Sequence, residues 1–78
     1  MGAKPGNISR IEVKEVYYDN DYHCYASRPL AVMTDRIETI REFYERDSGA
    51  KSKLVTMSGD VIRCKESYIE IMKKWEGE

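Results

Sequence analysis

The stretch Lys51-Ser52-Lys53-Leu54-Val55-Thr56-Met57-Ser58-Gly59-Asp60-Val61-Ile62-Arg63-Cys64-Lys65-Glu66-Ser67-Tyr68-Ile69-Glu70-Ile71-Met72-Lys73-Lys74-Trp75 decides the fold. Its first part alternates. Leu54 and Thr56 face one way, Val55 and Met57 the other, as successive side chains do on a strand. Ser58-Gly59 or Gly59-Asp60 supplies the positive φ of a tight hairpin turn. The chain then returns with Ile62 and Cys64 on one face and Val61 and Arg63 on the other. Ser67, with Glu70 three residues on, is a capping box that starts a helix. Tyr68, Ile71, Met72 and Trp75 fall at i, i+3, i+4 and i+7, a single apolar stripe predicted to pack that helix on the sheet. Lys73 and Lys74 suit the negative end of the helix dipole, and Gly77 ends it.

Working outward, Asp47-Ser48-Gly49-Ala50 is a loop of turn formers. Before it, Thr34 to Asp47 has two readings. Asp35 with Glu38 resembles a capping box, and Ile37, Ile40, Phe43 and Tyr44 fall on one helical face. The same residues also make a strand, with Ile37, Thr39 and Phe43 opposite Ile40 and Tyr44. Further back, Ile8 to Tyr18 reads as a strand. Ile11 and Val13 share one face, Val16 and Tyr18 the other, so a bulge near Lys14–Glu15 or a strand covered on both faces is expected. Asp19-Asn20-Asp21 is a turn, and Tyr22 to Met33 is the partner strand, with Pro29 marking an edge or a bend. Residues 1–7, with Gly2, Pro5, Gly6 and Asn7, read as a flexible arm, leaving 8–76 as one domain.

The run Arg36-Ile37-Glu38-Thr39-Ile40, then Lys53 to Gly59, then Val61-Ile62-Arg63-Cys64-Lys65-Glu66-Ser67 resembles small bacterial and phage proteins of the flagellar-operon FlbD type. Their pattern is an Ile-x-x-Ile segment, a strand ending in a small residue plus Gly, and a strand ending in Val-Lys-Glu-Ser before a helix. The resemblance covers roughly the last half of the chain. Here the connection from Ile40 to Leu54 is longer, and the tyrosine-rich first half has no counterpart. The resemblance implies a strongly bent sheet of about five antiparallel strands plugged by the terminal helix. It turns the reading of Ile37–Tyr44 toward strand and lends no catalytic residue.

Composition bounds the rest. The chain has 78 residues, 41% hydrophobic and 35% charged, with a formal net charge of −1. That is room for one globular domain with a thin stability margin and no global field favouring nucleic acid or an acidic membrane. No apolar run approaches the ~18 residues of a membrane span, and the N-terminus has no signal-peptide core, so a cytoplasmic location is expected. Cys24 and Cys64 are then expected to be reduced thiols. Together with His23 they match no zinc spacing, and no metal or cofactor is expected. A Cys24–His23 dyad fails because adjacent strand residues point to opposite faces. The glycines form no phosphate-cradling pattern. Acids sit beside bases in Asp35-Arg36, Arg41-Glu42 and Glu45-Arg46-Asp47, which reads as a solvated, salt-bridged face. The chain therefore reads as non-enzymatic.

What stands out is the aromatic placement. Tyr17, Tyr18, Tyr22 and Tyr25 lie on the first hairpin around His23, with Arg10, Lys14 and Arg28 near in sequence. Cross-strand packing accounts for some of these rings. A recognition surface accounts for others, since tyrosine gives large contact area at low entropic cost. A third reading stacks bases on Tyr17, His23 or Tyr25, with Arg10, Lys14 or Arg28 on phosphate, opposed by Glu12, Glu15, Asp19 and Asp21. The expectation is a small α+β domain: a strongly bent antiparallel sheet of about four to five strands with a C-terminal helix packed on it. It would act as a protein-binding module, a phage-encoded or accessory regulator docking on a partner protein, whose surface is Tyr17, His23, Tyr25, Arg10, Lys14 and Arg28. The rival is a nucleotide or nucleic-acid sponge or sensor using the same hairpin. Self-association, by edge pairing or through the aromatic face, is also expected.

Overall fold

The computed structural model describes residues 10–76. The expected arm, the first strand's start at Ile8 and the helix stop at Gly77 lie outside them. Five strands, β1 (Arg10–Asp19), β2 (Cys24–Met33), β3 (Ile37–Glu45), β4 (Ala50–Thr56) and β5 (Val61–Cys64), precede one helix, α1 (Tyr68–Trp75). The strands form one antiparallel sheet in the order β2-β1-β5-β4-β3. The helix packs against β1, β3 and β4. This is the α+β architecture read from the sequence, with the ambiguous segment a strand.

One face of the sheet carries the core. Ile11 and Val13 of β1, Val32 of β2, Ile37 of β3, Leu54 of β4, Ile62 and Cys64 of β5 and Ile71 of α1 form one buried cluster, with Leu30 and Ile40 packed against it. Ser52 and Thr56 share the core face of β4 and are satisfied there. Ser52 Oγ donates to the Glu66 carbonyl (2.7 Å), and Thr56 Oγ1 accepts from the Asp60 N–H (3.1 Å), so neither imposes the penalty of an unpaired buried hydroxyl. The capping box is present: Ser67 Oγ accepts from the Glu70 N–H, and Glu70 accepts from the Ser67 N–H. That last bond, first among the causes, holds the Glu70 carboxyl below its ordinary range.

The predicted stripe on α1 is only half right. Ile71 is fully enclosed and Met72 half-buried, but Tyr68 stays 39% exposed and Trp75 37%. Periodicity shows which side of a helix faces inward, not how far the surface beneath it extends. An eight-residue helix is about 12 Å long. Only its middle residue lies over the core, and Tyr68 and Trp75 sit at its two ends.

Strand β1 pairs with β2 in one unbroken register, so there is no bulge near Lys14–Glu15; Val16 is instead buried on the face opposite Ile11 and Val13. Strand β3 is the irregular one. Its pairing with β4 shifts between Ile37 and Thr39 and again between Glu42 and Glu45. The first shift brings both Ile37 and Ile40 to the core, which is why their spacing of three looked helical. The turns are wider than read. Asp19 pairs with Cys24, and residues 20–23 make the turn, so Tyr22 and His23 belong to it and not to β2. Asp19 Oδ1 accepts from the Asp21 and Tyr22 N–H groups, and His23 takes φ 54°, left-handed backbone that histidine adopts more readily than most residues. Likewise residues 57–60 join β4 to β5, with Gly59 at φ 95° and the Thr56 N–H donating to the Asp60 carbonyl.

Candidate functional site

The β1–β2 hairpin outruns the rest of the sheet. The only β1–β5 register pair among the described residues is Glu15↔Cys64, whereas β1–β2 pairing continues to Asp19↔Cys24. Beyond Val16 the hairpin is therefore an arm without a neighbour on its inner side, and its rings stay exposed: Tyr18 44%, Tyr22 79%, Tyr25 37%. The arm is ordered by its own contacts. Tyr18 and Tyr25, directly opposite in the register, meet edge to face at 5.1 Å. On the other face the Arg28 guanidinium lies 4.3 Å over the Tyr17 ring and is held by Glu15 at 3.1 Å.

The residues read from the sequence do not converge on one spot. Tyr17 and Arg28 share the core-side face of the arm, Tyr25 and Lys14 the opposite one, and His23 is in the turn. Arg10 and Asp19 are nine residues apart on a regular strand, a separation of about 30 Å, so Arg10 is remote from the arm's tip. A nucleotide gripped jointly by these six has no geometry to support it.

The two cysteines do not meet. Cys24 is exposed and Cys64 buried, both as free thiols. Their partners on β1, Asp19 and Glu15, are four residues apart, about 13 Å along a strand, which is beyond disulfide reach. Burial pushes the Cys64 thiol up to about 11. Among the described residues no group of three His, Cys, Asp or Glu is placed to hold a metal ion, and no helix is long and apolar enough to cross a membrane.

Edge pairing is blunted on both sides. Lys14 turns its backbone toward β5: its carbonyl accepts from the Lys65 N–H (3.0 Å), and its N–H donates to the Glu66 carboxylate (3.0 Å). Its partner on β2, Pro29, therefore belongs to a pair with no mutual hydrogen bonds, and its missing N–H points to the open edge. A strand added there meets a gap at mid-length. On β3 the two register shifts and the charges of Glu38, Arg41 and Glu42 do the same.

The sequence reading missed the outer face of β3, β4 and β5. Cross-strand partners share a face, so Arg41↔Lys53 and Lys53↔Arg63 align three cations in a row across three strands. Arg41 and Glu42 do not neutralise each other, because they point to opposite faces; Glu42 instead accepts from the Tyr44 hydroxyl (3.0 Å), which raises the Tyr44 pKa. Glu45 pairs with Arg63 at 3.0 Å, not with neighbouring Arg46. The signal was present as alternation: Lys51 and Lys53, then Arg63 and Lys65, all odd positions opposite a buried even face.

Comparison with protein-family models, curated proteins and solved structures found no match to this chain.

Proposed function

We propose that this is a non-enzymatic protein-binding module whose recognition element is the projecting arm of the β1–β2 hairpin, Tyr17 to Tyr25. One observation carries the reading: the exposed rings of the arm lie beyond the last β1–β5 pair, with no core for them to complete. Aromatic rings already held by each other and by Arg28 lose little freedom on docking, which is how pre-organised surfaces gain affinity. Asp19 and Asp21 make the turn acidic, so the partner surface is an apolar patch with a basic rim. A second copy of the chain fits less well, because neither sheet edge offers an unbroken row of donors.

The test is a double substitution, Tyr22→Ser with Tyr25→Ser. The variant should keep the circular dichroism of the parent and lose stoichiometric capture of the partner, while Lys53→Gln keeps it. Retained capture by a folded double variant rejects the arm as the docking element. Loss of folding shows that the rings are structural and rejects it too.

A further inference from the structure

We infer that the outer face of β3–β4–β5 is a binding site for single-stranded nucleic acid, separate from the tyrosine arm. Two rows of cations cross it. The first is Arg41, Lys53 and Arg63, directly opposite one another on adjacent strands. The second follows one step further along the β4–β5 register, Ser52↔Cys64, which sets Lys51 opposite Lys65. Lys65 in turn donates its N–H to the Lys14 carbonyl, so Lys14 continues that row onto β1. Neighbouring strands are about 4.8 Å apart and the rows are two residues, roughly 7 Å, apart.

Like charges directly opposite on a sheet are destabilising, and a domain of this size has little stability to spare. Local compensation is partial. Lys53 Nζ lies 4.5 Å over the Phe43 ring, and Arg63 holds Glu45. The other acids near the site are few. Glu66 is engaged with the Lys14 N–H, Glu70 of α1 is within electrostatic reach of Lys51, and Glu12 shares the Lys14 face of β1. Arg41 and Lys65 have no ion-pair partner among the described residues. Six of the thirteen Lys and Arg residues of a chain with net charge −1 thus lie on one face. The complementary ligand is an extended polyanion. The pleated face does not enter a duplex groove as a helix does, whereas Phe43, beside Lys53 on that face, offers a ring on which an unpaired base stacks.

The test is fluorescence anisotropy with a labelled oligothymidylate of about twenty nucleotides, titrated between about 50 and 200 mM salt. Binding should weaken with salt, with a log–log slope of about −0.7 per phosphate engaged, so roughly −3 for four to five contacts. The triple variant Arg41→Gln, Lys51→Gln, Lys65→Gln changes exposed residues only. It should lower affinity at low salt by at least about tenfold and flatten the slope by about 0.7 per charge removed. Lys73→Gln, two residues from the enclosed Ile71 and so on the opposite side of α1, should leave binding within about twofold; Lys74, which shares a cleft with Lys14 and Glu66, is left in place. The inference is overturned if the parent shows no salt-dependent binding, if Lys73→Gln weakens binding as much as the triple variant, or if phosphatidylserine vesicles bind while the oligonucleotide neither binds nor competes. Tyr22→Ser should leave oligonucleotide binding unchanged, so this site and the docking arm fail independently.

Discussion

The two hairpins of this sheet use strands of similar length in different ways. β1 and β2 keep a single register through ten pairs, from Arg10↔Met33 to Asp19↔Cys24, while β3 slips twice against β4 within nine residues. A regular register lets a hairpin run straight, and the molecule is accordingly 46 Å long but only 22 by 19 Å in section. A slipped one bends its strand, and β3 bends so that Ile37 and Ile40 both meet the core beneath α1. The straight hairpin leaves most of its side chains in solvent; β2 buries only Val32. In β4, by contrast, every second residue from Ala50 to Thr56 is buried. Stability is thus concentrated where β1 up to Val16, β4 and β5 meet beneath α1, and the hairpin arm beyond Val16 is free to serve as a surface.

The comparison breaks most directly at Leu54, which is fully enclosed at the middle of β4. Leu54→Ala should cost about 2–5 kcal/mol, a large share of what so small a domain holds, whereas Tyr22→Ala on the arm should stay within about 0.5 kcal/mol. Paired urea titrations measure both. Equal costs would mean that the arm is part of the cooperative core.

The helix gives a finer test. Ile71→Ala removes the one α1 side chain wholly inside and should cost about 2–4 kcal/mol. Trp75→Ala, at the helix end and 37% exposed, should cost less, about 1–2 kcal/mol, because part of its ring never leaves water. If thermal melts rank the two the other way, α1 is docked through its C-terminal end and not its centre.

These assignments mark what a sequence makes legible. Leu54 and Ile62 could be placed inside, and Ser67 at a helix start, because alternation and capping are local and each agrees with its neighbours. Ile37 and Ile40 could not be settled by period, since a slip in pairing imitates helical spacing and is fixed by β4, far along the chain. The tyrosines of the arm were visible as a cluster. Their division between two faces and a turn followed only from the Asp19↔Cys24 closure. The cation row was hidden most completely: Arg41, Lys53 and Arg63 are distant in sequence and become neighbours only through two registers.

The smallest effects belong to the two thiols, which report on the two regions separately. Cys24, exposed where the arm begins its return strand, should react with an aromatic disulfide reagent without any opening of the fold, shifting the melting temperature by no more than a degree or so. Cys64 sits between Ser52 and Glu15 in the register, fully buried, and should react only as fast as the domain opens. Alkali sharpens the contrast. Burial raises the Cys64 pKa in the folded chain to about 11 from an ordinary 9.0. Between those values the unfolded chain has lost the thiol proton and the folded chain has kept it. The folded state then binds more protons, so stability declines as pH rises through that window. Cys64→Ser removes this titration and Cys24→Ser leaves it in place. If the alkaline decline survives Cys64→Ser unchanged, the Cys64 thiol is not its source.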